Sequence, residues 1–249
     1  MDAAAASNGH GLTAWNAVLG AALRVPGARV DRAAFLRSAL RARASAALVE
    51  QAIAEAPAKA GVPSEDICRA CDAAIKLHRA GVTATSALAG LPGGWWIAGT
   101  LPADLVQYVW HAIVLLQKLA YLHGWSELFK EEEKLDEETK LLLTRFLGVM
   151  TGAESATQSL TKFGGAAAKE ACRRLTRAPL TKYASYQTAK QAAKWIGVSL
   201  TKKQFAKLVG RVVPFVGGAA AGTATWNLFG TGATRLHLHL QRSPHASHT

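Results

Sequence analysis

Cys68 and Cys71 form a C-x-x-C pair, with Asp72 and His78 close behind them. Thiolate and imidazole suit zinc, but a tetrahedral site would need a fourth strong ligand from Cys172 or a distant His, and there is no second C-x-x-C. Ordinary buried thiols on an Ala-rich helix are the simpler reading, so no metal site is assigned. His237, His239, His245 and His248 look like a metal tract only in composition, and a mobile tail accounts for them. Asp104 and His111 stand seven positions apart on one expected helix, too far for direct proton transfer. Their polar line, with Gln107 and Lys118, reads as a solvated edge or a water-lined seam. The chain contains no G-x-S-x-G, G-x-x-x-x-G-K-[ST], H-E-x-x-H or G-x-G-x-x-G. No catalytic residue and no cofactor are expected.

The elements carrying these residues read as helices. A chain of 249 residues approaches the upper size for one core. Half its residues are apolar and 18% are charged, which excludes global disorder. Abundant Ala with only 7% aromatics favours closely packed helices. The expected fold is all-α, a compact multi-helix bundle with Gly/Ala-rich apolar helices in the core. Three cysteines are too few and too odd for a disulfide framework, and MDAAAASNGHG does not read as a secretory signal. A cytoplasmic placement is expected.

Helix punctuation recurs along the chain. Asp31 suits an N-cap, with Val30 and Phe35 at staple spacing, for a helix over about 31–43. Ser45 caps a second helix with Leu48, Val49, Ala52 and Ile53 inward. Ser64 caps a third, expected to run to Arg79 and stop at Gly81. The uncharged run 83–103 is broken by Pro92, Gly93 and Gly94, which predict a tight turn. Pro102 then opens a central helix that Gly124 closes, with Leu105, Val109, Ala112, Leu116 and Leu119 on its buried face. The charge run 130–138 reads as an exposed loop or a solvated helix start. A helix over 139–150 follows, burying Leu142, Leu143, Phe146 and Leu147.

Charge is strongly segregated. Residues 1–138 carry net −2, and residues 139–249 carry net +14 with only Glu154 and Glu170 as acids. Basic residues recur at helical spacing as Lys169, Arg173 and Arg177, as Lys190 and Lys194, and as Lys203, Lys207 and Arg211. These eight are read as lipid-facing, because each basic group near an anionic leaflet contributes about 1 kcal/mol. No RRM or zinc-finger pattern and no interleaved aromatics accompany them, which disfavours nucleic acid as a partner. The run 212–234 is 23 uncharged residues, long enough to span a bilayer. Five Gly, four Thr, Asn227 and Pro214 within it favour a core helix over a permanent span, with a helix able to move from core to bilayer as the alternative.

The segment GLPGGWWIAGTLPADLVQYVWHAIVLLQKLAYLHGW (90–125) resembles the signature of the EcsC-like family. VDRAAFLRSAL (30–40), LGVMTG (147–152) and VVPFVGGAAAG (212–222) support the resemblance, which spans roughly residues 28–240. It implies a helical, membrane-associated protein that assists or regulates a membrane process, with transport suggested because the family's name comes from a member encoded beside an ABC transporter. It brings no established catalytic residues. The expected organisation is an N-terminal extension with a short helix (1–27), a helical domain (28–240) and a disordered tail (241–249). The expected site is peripheral, on the inner face of the membrane, with an anionic lipid surface and a membrane-protein partner. Pro92, Gly93, Gly94 and Pro102 are read as shape-determining. A pore-forming helical effector and a soluble protein-binding scaffold are the alternative readings.

Overall fold

A computed structural model describes residues 15–89, 103–129, 137–152 and 214–242. Every regular element among them is a helix: α1 (residues 15–24), α2 (Arg32–Leu40), α3 (Ala46–Ala54), α4 (Ser64–Ala89), α5 (Ala103–Leu122), α6 (Glu137–Thr151) and α7 (Pro214–Gln241). The all-α bundle expected from cap residues and apolar spacing is the observed fold.

Local chemistry sets several helix ends. The Asp31 carboxylate accepts from Ala34 N at 2.6 Å and the Ser45 hydroxyl from Leu48 N at 3.3 Å, so each satisfies an otherwise unpaired amide of a first turn. Arg32 donates to the carbonyls of Ile53 and Ala52, at 2.6 and 3.5 Å, and so caps the C-terminus of α3. α5 ends in a left-handed Gly124 (φ 85°). Trp125 N reaches Ala120 O at 2.9 Å and Gly124 N reaches Tyr121 O at 3.1 Å, the paired bonds of a Schellman end.

α4 departs from the expectation. It does not stop at Gly81 but runs 26 residues to Ala89, about 39 Å. Ser64 is its first helical residue and not its cap, and the Pro63 carbonyl accepts from Ile67 N at 3.1 Å. Gly81 is retained inside the helix for clearance. A Cβ built there would lie 2.6 Å from His111 Cε1 on α5. The residue that reads as a terminator thus permits close passage of a neighbouring ring.

α5 is the hub of the core. Leu105, Val109, Ala112, Leu116 and Leu119 are buried as its spacing predicts, together with Ile113, Leu115, Ala120 and Tyr121. Residues 105–122 are the one helical stretch among the described residues long and apolar enough to cross a membrane. Of that stretch 72% is buried, as in a core helix. Gln117, fully buried, donates to Ala28 O and Ile113 O and accepts from Val30 N, which ties the α1–α2 connection to α5.

α1 belongs to this same core. Trp15, Val18, Leu19 and Ala22 are buried, and Trp15 Nε1 donates to Thr144 Oγ1 on α6 at 3.2 Å. α6 buries Leu142, Leu143, Phe146 and Leu147. α7 packs on α4, α6 and α5, with Phe229, Ala233, Leu236 and Leu240 inward and Phe229 edge-on to Tyr108. Its close approaches rest on two glycines: a Cβ at Gly230 would meet Arg79 Nε at 2.5 Å, and one at Gly232 would meet Met150 O at 3.0 Å. α7 continues as helix through Leu240 to Gln241, so His237 and His239 lie on a packed helix and not in a tail.

Candidate functional site

Two clusters of titratable side chains lie where α4, α5 and α7 meet. The first is built on α4 and α5. His78 Nδ1 lies 3.1 Å from His111 Nδ1, and Lys118 Nζ lies 3.0 Å from His78 Nε2. An ammonium has only donors, so His78 accepts at Nε2 and donates from Nδ1, and His111 accepts at Nδ1. Trp110 closes the cluster, with its ring near both imidazoles. Burial, then the Lys118 charge, then His111 hold the His78 pKa down at about 3. Burial and Lys118 lower that of His111, and burial lowers that of Lys118. His78 therefore stays neutral at physiological pH, and the seam carries its charge on Lys118, which also sits over the Phe35 ring at 5.7 Å.

The second cluster lies further toward the α5 C-terminus. Cys71 Sγ is 3.8 Å from His123 Nε2, and His123 Nε2 is 3.2 Å from His237 Nδ1. All three residues are buried, and their ligand atoms lie within 4.8 Å of one another. Burial pushes the Cys71 thiol pKa up, with Cys68 and Asp72 adding in the same direction. His123 is held down at about 4 by burial and by His237. Burial lowers His237, and Asp72 opposes that shift. In the absence of a cation the trio is a neutral thiol and neutral imidazoles. A neutral, buried Cys71 is a poor nucleophile, so the arrangement does not serve thiol catalysis. Cys68, half-exposed one turn earlier on α4, receives Gln241 Nε2 at 3.8 Å.

A third feature lies on the outer side of α7. Leu228 and Leu238 are 43% and 40% exposed there, alongside exposed Thr231, Thr234, Arg235 and Arg242, while Trp226, 37% exposed, lies on the side of α7 that meets α4. The α7 sequence contains no acid. Arg79 from α4 stacks over the Trp226 ring at 4.0 Å and donates from Nε to the Trp226 carbonyl at 2.9 Å. Beside this face a half-open cavity of about 240 Å³ is lined by Trp15, Tyr108, Met150, Leu228, Thr231 and Arg235 among others. Its lining is mainly apolar.

The sequence-predicted residues divide accordingly. Lys169, Arg173, Arg177, Lys190, Lys194, Lys203, Lys207 and Arg211 lie outside the described residues, as do Pro92, Gly93, Gly94 and Pro102, and Cys172, His245 and His248. The Asp104 side chain is likewise outside them. His111 and Lys118 do belong to a polar seam. Cys71 meets His123 and His237, while His78, the histidine nearest in sequence, turns to His111 and Lys118 instead. His123 was not singled out from sequence, although Leu116, Leu119 and His123 continue one buried stripe. His237 is likewise in register with Ala233 and Leu240 on the inner face of α7. No family model, no curated protein and no solved structure matches this chain.

Proposed function

We propose that this chain is a peripheral membrane-associated helical protein of the EcsC-like kind, held on anionic lipid by its cationic second half, where it assists or regulates a membrane process such as transport. The observation that carries the reading is the outer face of α7, where Leu228 and Leu238 are exposed beside Arg235 and Arg242 with no acid in the helix. Apolar groups flanked by cations suit the headgroup boundary of an anionic leaflet, where burial of Leu adds to Coulomb attraction. The net +14 of residues 139–249 supports the same orientation. The resemblance of residues 90–125 to the family signature supplies the membrane process.

Co-sedimentation of the full chain with phosphatidylglycerol-containing and phosphatidylcholine-only vesicles, across ionic strength, tests the reading. Binding to the anionic vesicles that weakens with salt is the expected result. Equal binding to both vesicle types, or none to either, overturns it. Release of a trapped dye would point to a pore-forming effector, and salt-insensitive capture by a purified protein without vesicle binding would point to a scaffold.

A further inference from the structure

We propose that Cys71, His123 and His237 bind one zinc-class divalent cation, with water completing a tetrahedron. The site is independent of the membrane reading. Its donors come from separate elements: Cys71 from α4, His123 from the residue directly after α5, and His237 from α7. Zinc bonds of about 2.3 Å to sulfur and about 2.0–2.1 Å to nitrogen give tetrahedral edges of about 3.6 Å for S···N and about 3.3 Å for N···N. The two edges that share His123 Nε2 are 3.8 and 3.2 Å here, and the Cys71–His237 edge is within 4.8 Å. The two edges at His123 therefore stand close to the spacing that such an ion requires.

Hydrogen bonding alone accounts for this geometry less well. His123 Nε2 is the shared atom of both short contacts, and a neutral imidazole nitrogen offers either one N–H or one lone pair. One neighbour is then served and the other is not. A cation between the three atoms engages one lone pair from each. Thiolate with imidazole selects zinc-class ions over magnesium and calcium, which favour oxygen. On binding, the Cys71 S–H bond breaks, a sulfur–metal bond forms and one proton leaves to solvent, while both imidazoles enter neutral. Asp72, adjacent to Cys71, offsets part of the remaining positive charge. The bound ion would clamp α7 to α4 and α5.

The test uses untagged full-length protein, stripped with chelator under a non-thiol reductant and titrated with Co²⁺ and then Zn²⁺. One Co²⁺ per chain is expected, with tetrahedral visible bands, a single-thiolate charge-transfer band, and bleaching of both by Zn²⁺. Cys71→Ser should remove the charge-transfer band, and His237→Gln should weaken Zn²⁺ affinity by about 100-fold or more, above the loss typical of an outer-sphere partner. Cys68→Ser should leave both unchanged. No sulfur band in the wild type, a band that survives Cys71→Ser, or one lost in Cys68→Ser overturns the proposal. Because the variants alter a buried cluster, zinc-edge X-ray absorption of the wild type decides the matter without them. One sulfur at about 2.3 Å supports the site; a shell with no sulfur or with two overturns it.

Discussion

Two helical glycines should respond to the same substitution with opposite signs. Replacing Gly20 in α1 or Gly81 in α4 by Ala removes backbone freedom from the unfolded chain and favours helix by roughly 0.5–1 kcal/mol in each case. Around Gly20 nothing lies within 4 Å of the new methyl, so the gain stands. At Gly81 the methyl would sit 2.6 Å from His111 Cε1 and 3.2 Å from its Nε2. Ordinary carbon contacts are about 3.5–4.0 Å, so the buried ring must retreat by about 1 Å. That movement pulls against the 3.1 Å bond from His78. Overpacking costs about 1–3 kcal/mol, and an unsatisfied buried donor costs about 1–3 more. After the propensity gain of about 0.5–1 kcal/mol, a net loss of about 1–5.5 kcal/mol remains. At about 2–4 °C per kcal/mol for a chain of this size, Gly20→Ala should raise the melting temperature by a few degrees and Gly81→Ala should lower it by roughly 2–22 °C. Thermal melts followed by far-ultraviolet circular dichroism make the comparison. On a His111→Ala background the ring is gone, and Gly81→Ala should become neutral or stabilising. A Gly81→Ala variant that melts as high as Gly20→Ala in the wild-type background would refute the clearance argument.

Acidification of the chelator-treated protein should destabilise it between pH 6.5 and 5. His78 and His123 have folded pKa values of about 3 and about 4, below the unfolded value near 6.5, so the unfolded state takes up protons first and stability falls as pH falls. Two such groups give on the order of 3 kcal/mol per pH unit, and a melting temperature flat from pH 7 to 5 would contradict their burial as neutral rings. Changing Lys203, Lys207 and Arg211 to Gln should weaken anionic-vesicle binding at low salt, by up to about 3 kcal/mol, while the melting curve is unchanged. Equal co-sedimentation of the triple variant and wild type would remove these residues from the lipid surface. Phe229→Ala should cost about 3–5 kcal/mol, because the side chain is fully buried against Tyr108; a loss under 1 kcal/mol in denaturant melts would mean that α7 is not docked as described.

What could be read from sequence was what is decided within a turn or two of chain. Asp31, Ser45 and Gly124 act through bonds to residues three to five positions away, and the buried stripe of α5 follows from helical periodicity alone. Gly81 was misread because its role is set by His111, a ring brought to it by another helix. The partners of Cys71 were hidden for the same reason, since His123 stands 52 positions away and His237 a further 114. Composition misplaced His237 and His239 in a tail, because the Thr- and Gly-rich start of α7 gives a weak apolar signal before Leu236, Leu238 and Leu240 take over. No cap or spacing rule reports which helices cross.

The distance in sequence between α7 and the helices it covers sets a timetable for synthesis. Arg79 meets Trp226 across 147 positions, and α7 begins some 90 residues after α5 is complete. At translation rates of about 5–20 residues per second, the face of α4 and α5 that receives Phe229, Leu236 and Leu240 waits about 5–20 s for its cover. During that interval the nascent chain presents an apolar face on α4 and α5, with His123 lacking its α7 partner. A ribosome stalled before residue 214 would hold a product able to aggregate or to engage a chaperone, and the fold closes only when its most distant strip of sequence arrives.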